Sequence, residues 1–352
     1  RIQYSGKVYC VTVPGDGIVY VRRNGKPVWS GNSPDFPIPE GGAVMENQDE
    51  RDEVPYPAMA GSWYHQCYDD QTEILTRRGW ERFEMLEPDD EVMAMDFETG
   101  ETGWQVPSEH QEYDYSGEMV TVSGGQVDLK VTPNHRMLIG TDRGQDPAQT
   151  FENQRKMVQA DELGERYDDP NLFRALPNWE GEHRQIRSYP PVLEGAENRM
   201  ASDGGLVQQS QPRRLVPWLE FFGRWLATGA VGENDQNSIV RLYQSAGERI
   251  EQLFETIAGD SPQQGETEST EYLEVTDRRL PSYLRRFASA RQIPESLRNL
   301  PRADLRILFD ALMMGGGSQH RGESGWTFHA PSATLPDHVQ EIALKLGHAA
   351  VL

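Results

Sequence analysis

Cys67, Thr132 and His135 are the residues of this 352-residue chain whose types suit acyl transfer. Cys67 opens the run CYDDQTEILT, and Thr132 and His135 stand three apart in VTPNHRML. A thiolate is a strong nucleophile, and imidazole passes protons near neutral pH. A threonine hydroxyl and backbone N–H groups can hold a developing oxyanion. Taken singly, each has an ordinary alternative: a lone cysteine is more often a small buried hydrophobe, and a histidine beside a strand is usually structural. A second stretch invites the same attention. In NGKPVWSGNS, Asn24-Gly25 between apolar runs signals a hairpin, yet nothing local accounts for the Gly31-Asn32-Ser33 loop that follows.

The elements that must position these residues separate by texture. Residues 1–32 alternate as strands do, and 33–66 are rich in Pro, Gly and acid (PDFPIPEGG, ENQDERDE). Residues 67–150 begin with short apolar runs and turn signals (TEILT, EVMAMD, EMVTVSGG, LKVTPNHRMLI), the pattern of a compact all-β unit. Residues 151–212 read as an irregular, polar connection. From 213 to 352 a helical period takes over, in LVPWLEFFGRWLATG, ERIEQLFETIAG, RADLRILFDALMMG and LPDHVQEIALKLG. One internal echo stands out: YSGKVYCVTV, from Tyr4 to Val13, is similar to YSGEMVTV, from Tyr115 to Val122. Two such arms predict a pseudo-symmetric β-fold to which both 1–32 and 67–140 belong.

Charge bounds the partners. The net charge is −22, and of 34 basic residues only Lys7, Lys26, Lys130, Lys156 and Lys345 are lysines. Such acidity opposes nonspecific binding to nucleic acid and to anionic membranes. No apolar run reaches membrane-spanning length, so no membrane partner is expected. Cys10 and Cys67 are too few for a disulfide framework and fit a reducing cytoplasm. The acid-rich, lysine-poor balance predicts a high-salt cytoplasm of a microbe or virus-infected cell.

Taken together, the segments resemble inteins, self-splicing proteins of the Hint fold. CYDDQTEILTRRGW is similar to the amino-terminal intein motif, LKVTPNHRMLI to the second, and GKVYCVTV and NGKPVWSGN to the two carboxy-terminal motifs. The resemblance implies that Cys67 is the first intein residue, attacking the Gln66 carbonyl to form a thioester. Thr132 and His135 polarise that bond, and Asn32 is the last intein residue, closing to a succinimide. Ser33 is then the nucleophile after the intein, and Cys10 assists the later steps. The implied partners are the flanking host-protein segments, and splicing of this kind needs no cofactor. Two features depart from the pattern. The residue before the terminal Asn is often His but here is Gly31, and PGDGIVYV lacks the histidine often found there. The motif order is also reversed, with the carboxy-terminal half first. Either one intein's tail precedes a host segment and a second intein, or both halves fold together around residues 33–66.

FFGRWLATGAV and LFDALMMGGGS resemble the paired helices of LAGLIDADG homing endonucleases, which often interrupt inteins. In that family each helix ends in an acidic residue that binds Mg²⁺, and the matching positions here are Thr228 and Gly316. The expected architecture is therefore multidomain: an all-β Hint-type fold plus an α/β LAGLIDADG-like domain. Cleavage of double-stranded DNA would be lost and Mg²⁺ needed only if it survives. Two alternatives stay open: an active site-specific homing endonuclease, and a Hint autoprocessing domain that cleaves without ligating.

Because added salt screens a net charge this large, the thermal unfolding midpoint is expected to rise between low-salt buffer and molar KCl. Identical melting in both would remove the high-salt reading.

Overall fold

The computed structural model describes residues 1–34, 66–140, 155–164, 171–176, 178–182, 215–234, 237–245, 247–277, 279–319 and 325–352. Most of the segment 33–66 therefore lies outside the described residues. The architecture is mixed α/β with several sheets. It divides into two compact units, residues 1–179 with 347–352, and residues 180–346.

The first unit is built from strands. β1 (Ile2–Val13), β2 (Ile18–Arg23), β3 (Lys26–Gly31) and β4 (Ser33–Pro34) come first. β5 (Tyr68–Asp69), β6 (Glu73–Thr76), β7 (Gly79–Arg82), β8 (Val92–Met95) and β9 (Thr102–Gln105) follow. β10 (Glu109–Ser123), β11 (Asp128–Val131), β12 (Arg136–Gly140), β13 (Arg155–Gln159) and β14 (Asn171–Leu172) complete it. One sheet has the order β10-β11-β5-β1-β4, with β10 also paired to β1; the other runs β13-β12-β3-β2-β6-β8-β9. Strands from 2–31 thus pair with strands from 68–140 in both sheets.

The sequence echo has a geometric meaning. β1 and β10 pair antiparallel from Ile2↔Met119 to Thr12↔Glu109, so Tyr4-Ser5-Gly6 lies opposite Tyr115-Ser116-Gly117. Each tyrosine folds back over its own glycine: Tyr4 Oη donates to Lys7 O at 2.8 Å and Tyr115 Oη to Glu118 O at 2.6 Å. A Cβ on Gly6 or Gly117 would lie 2.9 Å from the neighbouring tyrosine oxygen, so a larger residue there would displace the tyrosine ring. The two arms are related by a local two-fold through the Ser5↔Ser116 pair.

The two-residue period of β1 sends its faces to different places. Tyr9, Val11 and Val13 join Val19, Val21, Ile74 and Leu129 in the main core. Val8 and Cys10 point the other way, against Cys67 and Met119. Asn24 and Gly25 take φ of 49° and 70°, both positive, as a two-residue hairpin between β2 and β3 requires. The connection expected to be irregular carries β13 and β14, both paired to β12, because Val158 and Leu172 reach the main core. Gly347–Leu352, expected to belong with the helices, lies in the first unit, where Leu352 N–H donates to Gly25 O at 3.1 Å.

The second unit pairs α1 (Leu215–Thr228) with α5 (Arg302–Gly316). A Cβ added at Gly223 would lie 2.8 Å from both Ala311 Cβ and Leu308 O, so the helices touch backbone to backbone. Trp218, Phe221, Phe222 and Trp225 of α1 are fully buried. α2 (Glu248–Ala258) meets them through Phe254 and α3 (Leu280–Ala288) through Tyr283 and Phe287, and α4 (Glu295–Arg298) and α6 (Leu335–Lys345) are the other described helices. β15 (Gly229–Asn234), β16 (Asn237–Leu242), β17 (Gln263–Glu266) and β18 (Glu271–Thr276) form a sheet in the order β15-β16-β18-β17. A short ribbon joins β19 (Gly317–Gln319) to β20 (Trp326–Phe328).

A buried ion cluster ties α6 to α4. Lys345 Nζ donates to Arg298 O (3.0 Å), Asn299 Oδ1 (2.9 Å) and Glu341 Oε1 (2.6 Å), using all three of its hydrogens. Glu341 Oε2 accepts from Arg298. Burial alone would raise the Glu341 pKa, but Lys345 and Arg298 hold it below the usual carboxylate range. Replacing Glu341 by Ala leaves two buried cations uncompensated, and should cost this unit about 3–5 kcal/mol, read as a lower urea midpoint.

Candidate functional site

The site is assembled by the β5–β11 pairing. Val131 lies opposite Tyr68, which brings the next residue of each strand end, Thr132 and Cys67, together. Thr132 N–H donates to Cys67 O at 3.0 Å, and Cys67 N–H donates to Thr132 Oγ1 at 3.1 Å. The threonine hydroxyl therefore sits on the nitrogen of the Gln66–Cys67 peptide. The strand after Cys67 is anchored by buried Asp69, which accepts from Arg23 Nε at 3.0 Å and Thr72 Oγ1 at 2.8 Å and pairs with Lys130 at 3.3 Å.

The turn from Thr132 to His135 closes with His135 N–H on Thr132 O at 3.0 Å, and is fastened to the β13 side by Ala160 N–H on His135 O at 2.8 Å. His135 is fully buried; its Nε2 is 2.9 Å from Ser30 Oγ, and its ring stands edge-on to Tyr68, centroids 4.4 Å apart. Burial lowers its pKa to about 3, although the backbones of Gln66 and Gly31 favour the charged ring. At neutral pH this is a neutral imidazole and, in this buried position, a weak base.

Cys67 Sγ lies 3.3 Å from Cys10 Sγ, and Cys10 Sγ lies 3.1 Å from Gln111 Oε1. Both thiols are buried and free. The hydrogen bond to Cys10, then burial, push the Cys67 thiol well above the ordinary range. In this arrangement Cys67 is a protonated thiol, and needs a base to become a nucleophile.

The end of β3 meets the same place. Tyr68 Oη donates to Gly31 O at 3.0 Å. Asn32 is fully buried; its Nδ2 donates to Val11 O and its backbone N–H to Gly17 O, while Oδ1 has no hydrogen-bond partner among the described residues. Arg136 Nη1 lies 3.5 Å from Asn32 O. The Ser33 backbone runs parallel to β1 at Thr12, and its side chain lies outside the described residues. Buried Gln66 Oε1 has no hydrogen-bond partner among the described residues. The structure thus gathers Cys67, Cys10, Thr132, His135, Gly31 and Asn32. It adds Ser30, Tyr68 and Arg136, which the motifs did not single out; Tyr68 and Arg136 each immediately follow a residue that they did.

Thr228 and Gly316 are in the second unit, at the ends of α1 and α5. Thr228 Oγ1 donates to Arg224 O at 3.2 Å, and a Cβ on Gly316 would lie 2.7 Å from the Phe328 ring. Neither position supplies a carboxylate, so this donor set does not fit Mg²⁺. Among the described residues no helix is long and apolar enough to cross a membrane.

No protein-family profile matches the chain. It is 26% identical over 301 residues to an ATP-dependent Clp protease proteolytic subunit of Chlamydomonas moewusii, 80% of this chain and 28% of that protein. It is 36% identical over 75 residues to a ribonucleoside-diphosphate reductase subunit beta of Aquifex aeolicus, 21% of this chain and 11% of that protein. The chain spans less than a third of each relative. The structure is similar to I-DmoI in complex with DNA and Mn, at TM-score 0.29 and 13% identity, over 37% of this chain and 76% of that one. A variant complex of that protein gives TM-score 0.30 and 15% identity.

The buried neutral histidine makes the first unit acid-sensitive. Unfolding releases the ring to its ordinary pKa of 6.5, whereas the folded ring stays neutral down to about pH 3. In that window the unfolded state binds the extra proton, so stability falls as pH drops from 6.5 towards 3. Denaturant unfolding of the first unit should show this slope, and His135→Gln should flatten it.

Proposed function

We propose that the first unit is a Hint-fold intein that splices the segment between its two halves. The observation that carries this reading is the Cys67 amide on Thr132 Oγ1, with His135 on the adjoining turn and Asn32 at the end of β3. Attack of Cys67 Sγ on the Gln66 carbonyl carbon forms an S–C bond and breaks the C–N bond to Cys67. The thiol proton ends on the released amine; His135 carries it and Thr132 Oγ1 holds the nitrogen in place. The Ser33 hydroxyl then takes the acyl group from sulfur, and Asn32 Nδ2 closes on its own carbonyl carbon, releasing the Ser33 amine. An O-to-N shift restores a peptide bond. Because the carboxy-terminal half comes first, the product from this chain is a circle of residues 33–66.

Two further features support the reading. Strands from both halves share two sheets, as a single working intein needs. The chain also matches minor parts of two differently named proteins, as an element embedded in unrelated hosts would. The second unit is read as a LAGLIDADG-like domain that has lost its metal-binding acids. Double-stranded DNA is its proposed partner, held weakly against the chain's acidity.

Intact-mass analysis of the chain beside Cys67→Ala and Asn32→Ala tests this. A cyclic 33–66 peptide, absent from both variants, is expected. The failure of dithiothreitol to cleave Gln66–Cys67 in the unsubstituted chain would remove the proposal.

A further inference from the structure

We infer that Ser30 is the positioning residue for His135: its hydroxyl accepts from ring Nε2–H and so leaves the lone pair of Nδ1 turned to the Gln66–Cys67 peptide. This rests on the splicing reading above and assigns what orients one of its groups.

Four observations converge. First, Ser30 Oγ lies 2.9 Å from His135 Nε2, and both residues are fully buried, so bulk solvent does not compete for either atom. Second, the neighbours set the direction of this bond. Ser30 has one hydroxyl hydrogen, and Oγ reaches Met137 Sδ as an acceptor at 3.9 Å. The Tyr68 hydroxyl also lies beside Ser30, but it spends its hydrogen on Gly31 O. The Ser30 lone pairs are therefore left for Nε2–H. Third, His135 Nδ1 is buried and has no hydrogen-bond partner among the described residues. A hydrogen on Nδ1 would be a buried donor left unpaired, which costs about 1–3 kcal/mol. The tautomer with its hydrogen on Nε2 avoids that cost. Fourth, the ring lies between the backbones of Gly31 and Gln66. Gly31 follows Ser30, on the Nε2 side, which leaves Nδ1 to the Gln66 side.

Packing holds Ser30 in this place. Met137 is opposite Ser30 in the β12–β3 pairing, so the register of β3 is fixed at this residue. The next residue is gripped as well: a Cβ on Gly31 would lie 2.6 Å from Arg136 Cβ and 2.4 Å from Met157 Cε. Ser30 belongs to the segment 1–32 and His135 to the segment that begins at Cys67. The ring that serves the first bond is thus oriented by the strand that carries the last.

The proton transfer balances within the site. As Cys67 Sγ bonds to the Gln66 carbonyl carbon, the thiol hydrogen passes to Nδ1. As the C–N bond breaks, Nδ1 gives it to the Cys67 nitrogen. Ser30 keeps its own hydrogen and forms no bond to the reacting atoms. A weak base suits this task, because the proton is handed on in step with bond formation rather than held.

Two measurements on the full chain test the inference. Nitrogen-15 NMR of the histidines, in a Cys67→Ala background that cannot form the thioester, should show His135 with its hydrogen on Nε2 and a bare Nδ1. Adding Ser30→Ala should populate the other tautomer. In the chain that keeps Cys67, Ser30→Ala should slow thiol-induced Gln66–Cys67 cleavage by about tenfold, a fraction of the roughly hundredfold or greater contribution of a positioned acid–base group. In a His135→Gln chain the same substitution should have little further effect, since both act through one ring. The inference is overturned if Nδ1 carries the hydrogen while Ser30 is present, a readout that needs no substitution at Ser30. It is also overturned if Ser30→Ala leaves the cleavage rate unchanged, or slows the His135→Gln chain as much as the unsubstituted one. Cleavage that proceeds in the unsubstituted chain keeps the splicing reading in each of these cases. Its absence from the unsubstituted chain removes both.

Discussion

The antiparallel ladder between Ile2–Val13 and Glu109–Ser123 is the contact on which the first unit depends. It joins two segments far apart in the sequence. Its alternation sends Tyr9, Val11 and Val13 into the core and Cys10 to the opposite face against Cys67. β5 then pairs with β1 at Val8 and Tyr9 and with β11 at Val131, so the Cys67–Thr132 pair is set by the same sheet. Without this ladder the reactive residues would belong to separate pieces of chain.

The site that results is closed to bulk solvent. Cys67, Asn32 and His135 are all fully buried. Burial acts on the two titratable groups in opposite directions of pKa but to one effect: the thiol stays protonated and the imidazole stays neutral. Every charge that the proposed chemistry develops must therefore be met by groups already in place, since these residues are closed off from bulk solvent. Backbone amides and carbonyls, the Thr132 and Tyr68 hydroxyls and the Arg136 guanidinium are those groups. A preorganised, low-dielectric pocket makes each of them stronger than it would be at the surface.

Much of this arrangement was legible in the sequence, because local chemistry specifies it. Asn24-Gly25 marks the β2–β3 hairpin, and the period of two marks the strands. The YSG echo gave the likeness of the two arms. It could not show that they face one another, since register is a tertiary property. The position of Arg136 was hidden for the same reason: its partner is a backbone carbonyl more than a hundred residues away, and backbone atoms leave no trace in side-chain pattern. β13 and β14 were missed because short strands inside a polar stretch carry too few apolar residues to reveal a period. Val158 and Leu172 reach the core only once β12 is there to pair with.

The space beside Gly31 also bears on which residues that position can hold. With Arg136 and Met157 packed where a side chain would begin, any side chain placed at position 31 would arrive into an occupied volume. The arginine and the methionine would have to move before a larger residue could stand there. The identity of one backbone position is thus coupled to two side chains on distant stretches of the chain.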